Sequence, residues 1–463
     1  MLPDGVMLAV FYFYINGALG EAYSKESAER WQPLVHVCQR WRSIVFGSPC
    51  RLNLRLGCTP KTPARDLLDV WPALPLFIWS YGNYPTECME NVTAVLERSD
   101  RVRQVDFMKV SSSYLENVLA AMQVPFPELT CLELRSSDII DETVPVLPDS
   151  FLSGSAPCLR FLRLSAIPFP GLPKLLLSAT RLVDLVLYDI PHSGYFPPET
   201  IVTALSTLTD LRFLSLAFQS PLSRPDWASR RPPPSTRSLL PVLTYFLFKG
   251  VSEYLDDIVA RIDVPQIDQL SITLFNQILF DTPQFIQFIS RTPRFRAFKT
   301  TRLFFGHDGA RVELSSQTPG PRELTVSIPC RELDWQISSL EQICTSCLPS
   351  LSTLEDLTIS ERQHSRLYWP DNIENTLWLE LLHPFTYVEN LYLSGQVVPQ
   401  VVPALQEPVG GRMTEVLPTL RNIFLEGFHP SGPVQEGIGR FIATRQVSGH
   451  PIAVSRWENP WPL

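Results

Sequence analysis

Cys158 to Ile190 reads CLRFLRLSAIPFPGLPKLLLSATRLVDLVLYDI. Two triplets inside it share one spacing, Leu159/Leu162/Leu164 and Leu182/Leu185/Leu187: an apolar residue, two others, an apolar residue, one other, an apolar residue. The last two members are two residues apart, the period at which a strand returns to one face. The stretch between the triplets carries Pro168, Pro170, Gly171 and Pro173, which cannot continue a ladder. A short half-buried strand therefore leads through a corner to the next strand of the same kind.

Working outward, the same spacing recurs towards the N-terminus as Val102/Val105/Phe107 and Leu129/Leu132/Leu134. Towards the C-terminus it recurs as Leu211/Leu214/Leu216, Leu243/Phe246/Phe248, Ile267/Leu270/Ile272, Leu354/Leu357/Ile359, Val388/Leu391/Leu393 and Leu420/Ile423/Leu425. Degenerate copies fall near Phe295 and Phe298 and at Leu324, Val326 and Ile328. The mean step of about 29 residues belongs at the long end of the leucine-rich class. Helical periodicity marks several returns: Leu115–Met122, Glu199–Leu208, Tyr254–Ile262, Phe285–Ser290, Ile337–Leu348, Leu377–Leu382 and Ile438–Thr444. Prolines at 125, 127, 157, 197, 198, 265, 283 and 418 sit at the corners. Strand plus helix, stacked unit on unit, predicts an α/β solenoid with a parallel sheet on its concave side.

The N-terminal residues follow a different pattern. Leu2 to Ile15, LPDGVMLAVFYFYI, is an apolar helical run behind a proline and an acid. In Trp31 to Phe46, WQPLVHVCQRWRSIVF, the residues Trp31, Leu34, Cys38, Trp41 and Val45 fall at three- and four-residue steps and predict one helical stripe, stopped by Gly47-Ser48-Pro49. Polar Asn16–Arg30 separates the two runs, and RLNLRL at Arg51–Leu56 alternates like a short strand. Trp71–Tyr84 reads as the strand that enters the main array.

Leu2-Pro3 opening an apolar helix, followed by LVHVCQRWRSI at Leu34–Ile44, resembles an F-box, and the whole chain is similar to fungal F-box proteins with leucine-rich repeats. The resemblance implies an irregular leucine-rich-repeat solenoid, a horseshoe, over residues 57–463, preceded by a small all-α F-box module over residues 1–56. It implies docking on a Skp-type adaptor and through it on a cullin, with Leu2, Pro3, Val6, Val10, Leu34, Val37, Cys38 and Trp41 as docking and packing residues. Regular repeats of that family carry an asparagine eight residues after the first leucine. Here Ser137, Ile167, Ile190, Gln219, Val251, Phe275, Arg362, Gln396 and Phe428 stand there, so the coil should be irregular. The alternative is a repeat scaffold for protein–protein interaction outside any ligase, with residues 2–56 as its N-terminal cap.

Composition narrows the function. A formal net charge of −8 offers no basic face for nucleic acid. Val6–Ile15 has the length of a signal-peptide core but follows Asp4 with no Lys or Arg, and is too short to span a bilayer. The nine scattered cysteines suit a reducing compartment, so the expected location is intracellular, cytoplasmic or nuclear, with no membrane. A secreted receptor-like chain would need cleavage after about Gly20 and disulfides among these thiols. The Asn91-Val92-Thr93 triplet matches a glycosylation acceptor, without meaning in such a compartment.

No G-x-S-x-G elbow, phosphate loop or H-E-x-x-H motif occurs. Cys344 and Cys347 form a lone C-x-x-C in a helical run and read as core thiols, since a structural zinc takes about four ligands. The expectation is a non-catalytic chain with no cofactor and no metal, which positions a target protein. Side chains flanking the buried leucines point outward. Among them Glu133, Arg135, Arg163, Tyr188, Lys249, Tyr392, Phe424 and Glu426 are the target-binding candidates, a mixed surface suited to a protein partner. Gln219–Pro241, with its proline triplet, reads as an insertion; Phe305–Gly320 as a hairpin or loop; Pro451–Trp457 with Pro460 and Trp461 as a last strand and cap.

Overall fold

The structure is a computed structural model that describes residues 2–16, 30–82, 87–137, 144–225, 236–275, 280–296, 298–316, 323–348, 351–361, 373–406, 416–426 and 433–457. Residues 17–29 of the polar connection, 226–235 of the proline-rich insertion, Pro319, Gly320, Arg362, Phe428, Pro460 and Trp461 lie outside the described residues. The chain forms two compact units, residues 1–196 with 203–211 and residues 197–202 with 212–463.

The first unit begins with helices at Asp4–Asn16, Gln32–Val35, Gln39–Gly47 and Pro49–Leu52. The single stripe predicted over Trp31–Phe46 is broken at Cys38. Its backbone is extended (φ −162°, ψ 167°) and its sulfur accepts the Trp41 N–H, so Cys38 caps the second helix and is itself exposed. Trp31, Leu34, Val35 and Val45 still face inward. The alternation RLNLRL buries Leu52, Leu54 and Leu56, yet only Leu56 is in a strand: Arg51 and Leu52 end a helical turn, and Asn53 reverses the chain in the left-handed region (φ 53°).

Strands β1 (Leu56–Cys58), β2 (Leu76–Tyr81), β3 (Val102–Val110), β4 (Cys131–Ser136), β5 (Phe161–Ser165) and β6 (Asp184–Ile190) then lie side by side in chain order, all parallel. Val105, Leu132, Leu162 and Leu185, the middle members of successive triplets, stand opposite one another and are fully buried. Where a regular leucine-rich repeat would carry asparagine, this chain turns by other means. Lys109, Ala166 and Asp189, each two residues past the last apolar member of its triplet, adopt positive φ of 56°, 56° and 49°. Asn91 spans two returns, donating to the Pro60 carbonyl and accepting the Ala64 N–H.

The second unit contains β7 (Phe213–Phe218), β8 (Ser238–Leu239), β9 (Tyr245–Gly250), β10 (Ile262–Asp263), β11 (Gln269–Leu274), β12 (Thr300–Gly306), β13 (Gly309–Ser315), β14 (Glu323–Ile328), β15 (Asp356–Glu361), β16 (Asn390–Leu393), β17 (Asn422–Glu426) and β18 (Ala453–Trp457). β8 pairs with β10 apart from the main sheet, whose order here is β7-β9-β11-β14-β13-β12-β15-β16-β17-β18.

The sheet is not wholly parallel, as the repeat pattern had predicted. β13 runs antiparallel between β14 and β12, so three strands enter in reverse chain order. His307 and Asp308 are the entire connection from β12 to β13, and a Cβ at Gly309 would collide with the Ile328 carbonyl oxygen. The degenerate copy near Phe295 is shifted by three residues: Phe295 lies in a 3-10 turn, while Phe298, Thr301 and Leu303 take the triplet positions, Thr301 opposite Leu357. Gln336, fully buried, donates from its amide to the carbonyls of Gly306 and Cys330 at 2.8 Å each and ties the inserted strands to the helix behind them.

Returns are helical at Ser112–Ala121, Pro198–Leu205, Ser252–Val259, Pro283–Arg291, Leu333–Gln342, Asn375–Leu382 and Pro433–Val447, matching the sequence periodicity. They are stapled to one another. Arg291 donates to Asp263 and to the carbonyls of Val259 and Ile262, and buried Asp256 accepts the first amides of the following helix.

Candidate functional site

The Asp4–Asn16 helix is apolar on every side, and only one side is covered. Met7, Leu8, Phe11 and Ile15 are buried, with the Phe11 ring 4.8 Å from that of half-buried Trp41. The opposite side is open: Leu2 is 55% exposed, Val6 46%, Val10 53% and Phe13 71%, and Val37 adds 58%. Pro3 and Cys38 are exposed beside them. Arg40 joins the two helices, bonding Asp4 at 2.6 Å and the Leu2 carbonyl. Of the residues singled out from sequence, Leu34 is in the core, Trp41 packs against Phe11, and Leu2, Pro3, Val6, Val10, Val37 and Cys38 are exposed.

The outward face of the first unit's sheet is the second surface. Trp79, Asp106, Glu133, Arg163 and Val186 stand opposite one another on β2 to β6, and Arg135, Ser165 and Tyr188 form the next row. Glu133 pairs with Arg163 at 3.0 Å. Asp106 has no such pairing among the described residues. One of its oxygens is buried without a hydrogen-bond partner, and burial, then the neighbouring Glu133 charge, pushes its carboxyl up to about 6 against the opposing pull of Arg163.

In the second unit the outward face carries Lys249, Tyr392, Phe424 and Glu426. Tyr392 and Phe424 stack at 4.5 Å with planes 10° apart, and Trp457 stands against Tyr392 at 5.4 Å. Below them runs a side-chain ladder: Asn422 donates to Asn390, and Asn390 donates to Asp356, each at 2.8 Å.

Both units are repeat architecture: triplets in register, each strand giving way to a turn or helix. Among solved structures the chain is similar to the leucine-rich repeat-containing protein LegL7 from Legionella pneumophila, at 15% identity and a TM-score of 0.28, over 86% of this chain and 98% of that one. No family model matches the sequence, and no curated protein matches it.

Cys344 and Cys347 are buried in a π-helical turn; burial raises both, Cys347 to about 11, which disfavours the thiolate that metal binding and redox exchange use. Cys131, on the β4 face beside Asp106 and Glu133, is pushed up to about 12 by burial first. Among the described residues no group of three or more His, Cys, Asp or Glu side chains could hold a metal ion, and no helix is long and apolar enough to cross a membrane.

Sequence reading missed Trp79, Asp106 and the Asp356–Asn390–Asn422 ladder. The ladder had a signal: all three residues directly precede the middle member of their triplets, before Leu357, Leu391 and Ile423. Trp79 and Asp106 had only their place between buried residues.

Proposed function

We propose that this chain is the target-binding subunit of a cullin-based ubiquitin ligase, its N-terminal F-box-like helices docking on a Skp-type adaptor and its leucine-rich strand face holding a protein. The observation that carries the reading is the Asp4–Asn16 helix. An apolar side chain left in water forgoes roughly 1.5–3 kcal/mol of burial, and here Val6, Val10 and Phe13 do so on the uncovered side of one helix, with Leu2 and Val37 exposed as well. Such a patch marks an interaction site. The strand face, with paired charges and stacked aromatics, supports recognition of protein. The chain itself does no chemistry in this reading. It acts by proximity, raising the effective concentration of the target's lysines at a conjugating enzyme carried by the complex, inside the cell in cytoplasm or nucleus.

The test is co-purification with the Skp adaptor. The native chain should form a stoichiometric complex. Val6→Asp with Val10→Asp, which alters exposed positions and leaves Phe11 and Trp41 in place, should abolish the complex with the circular dichroism spectrum unchanged. A native chain that fails to capture the adaptor ends the ligase reading and leaves a repeat scaffold.

A further inference from the structure

On the outward face of β2 three aromatic side chains follow one another: Phe77, Trp79 and Tyr81. The two outer rings each carry a cation of the protein's own. The Arg55 guanidinium lies 4.8 Å from the centre of Phe77, and the Lys109 ammonium lies 5.4 Å from that of Tyr81. Lys109 reaches it because β3 shifts register between Phe107 and Val110 with Lys109 in the left-handed region. On β5, Arg163 stacks over Phe161 in the same way, at 5.3 Å. Trp79, the ring type that attracts a cation most strongly, has none over it among the described residues.

The residue beside Trp79 is Asp106, one strand away in register. Neighbouring strands are about 4.8 Å apart, so a cation within about 6 Å of the indole centre is also in reach of the Asp106 carboxylate. The charges that act on Asp106 are Glu133, which repels, and Arg163, which is already paired with Glu133. The row Asp106–Glu133–Arg163 is therefore one negative charge in excess, in a chain whose formal net charge is −8. Lys109 is committed to Tyr81, and Arg135, in the next row of β4, is not among the charges acting on Asp106.

We propose that Trp79 and Asp106 receive the side chain of an arginine or lysine from an extended segment of the protein that this strand face binds. The inference rests on the strand-face recognition proposed above and adds the class of residue recognised. The ring supplies a face for the cation, the carboxylate supplies its counter-charge, and Arg163, over Phe161 and paired with Glu133, shows the same arrangement within the molecule.

The probe is an array of acetylated, amidated heptapeptides in which each position in turn carries every amino acid on a Gly/Ser background, read with the full chain. The native chain should select Arg or Lys over Gln at one position by about tenfold. Asp106→Asn and Trp79→Leu should each lose that selection, Trp79→Phe should keep part of it, and Lys174→Gln, in the return after β5, should keep all of it. Thermal unfolding of each variant checks that it is folded. Selection should also fade as pH drops from 7 to 5, when Asp106 takes up its proton. Selection of an acidic or apolar residue, no selection, or a basic preference that survives both Asp106→Asn and Trp79→Leu overturns the proposal. Adaptor capture is read separately, so its failure leaves the peptide result standing.

Discussion

Asp256 offers the sharpest test of how one return is held to the next. It sits in the Ser252–Val259 helix, 2% exposed, and its Oδ1 accepts the N–H groups of Gln284 at 2.9 Å and Phe285 at 3.0 Å. Those amides belong to the first turn of Pro283–Arg291, where a helix has no partners of its own, and Thr282 at the cap position makes no side-chain bond to them. Asp256 supplies both the missing acceptor and a negative charge at the positive end of the helix. Hydrogen bonds to a charged group contribute roughly 1.5–3 kcal/mol each. Asp256→Ala removes two and leaves two N–H groups unsatisfied, so the expected loss is about 3–5 kcal/mol. Asp256→Asn keeps the carbonyl acceptor without the charge and should lose about half as much. Urea unfolding gives the total, and amide hydrogen exchange resolved over residues 283–291 gives the location. An alanine variant that loses less than about 1 kcal/mol, or that leaves exchange of 283–291 unchanged, would refute the reasoning.

Further predictions follow from other sites. Because Asp106 is raised to about 6 in the folded chain from 3.8, the folded state binds its proton more tightly than the unfolded state does. Its contribution therefore improves as pH falls from about 6 towards 4 and is lost as pH rises through 6; Asp106→Asn should remove that slope and stabilise the chain at pH 8 by about 1–2 kcal/mol, allowing for solvent screening of a partly exposed group. In the Pro433–Val447 helix, Gly439 is open and Gly439→Ala should stabilise by roughly 0.5–1 kcal/mol. Gly437→Ala should instead destabilise by about 1 kcal/mol, because its Cβ would lie 2.5 Å from Gln406 Nε2 and 2.9 Å from Val402 Cγ1; paired thermal melts distinguish them. Cys344 and Cys347 should resist a water-soluble thiol reagent in native buffer while exposed Cys38 and Cys50 react at once, measured by mass spectrometry after timed quenching.

The repeat pattern was legible because a buried strand position tolerates little but an apolar side chain: Val105, Leu132, Leu162 and Leu185 were found by spacing and stand in register. Where the core accepts a hydroxyl, as at Thr301, the spacing rule slid by three residues and missed the triplet. The alternation of Ala310, Val312 and Leu314 carries a strand's period but not its direction; the hairpin-or-loop reading of Phe305–Gly320 fits the β12–β13 turn, while the spacing itself gave no sign that β13 would run antiparallel between β14 and β12. At Cys38 a cap outweighed helical periodicity, because one sulfur–amide bond and an extended backbone end the stripe. The exposed apolar side of the first helix was partly legible: Val6 and Val10 were named, while Phe13 was passed over because a wholly apolar helix does not reveal which side the fold will cover.

The reversed order of β12, β13 and β14 bears on how the chain acquires its structure in time. In an uninterrupted array each unit needs only its predecessor, so order spreads from any nucleus by local steps. Here β15 is laid against β12, while β11 is laid against β14, nearest in space but with two strands of sequence between them. The hairpin of β12 and β13 must close, and β14 must join it, before growth from β11 can reach β15. Growth from the C-terminal side meets the same barrier. The insertion thus raises contact order locally and divides folding of the second unit into segments that β12–β14 must join, which makes this three-strand block the step whose speed sets how long unpaired strand edges stay open on either side.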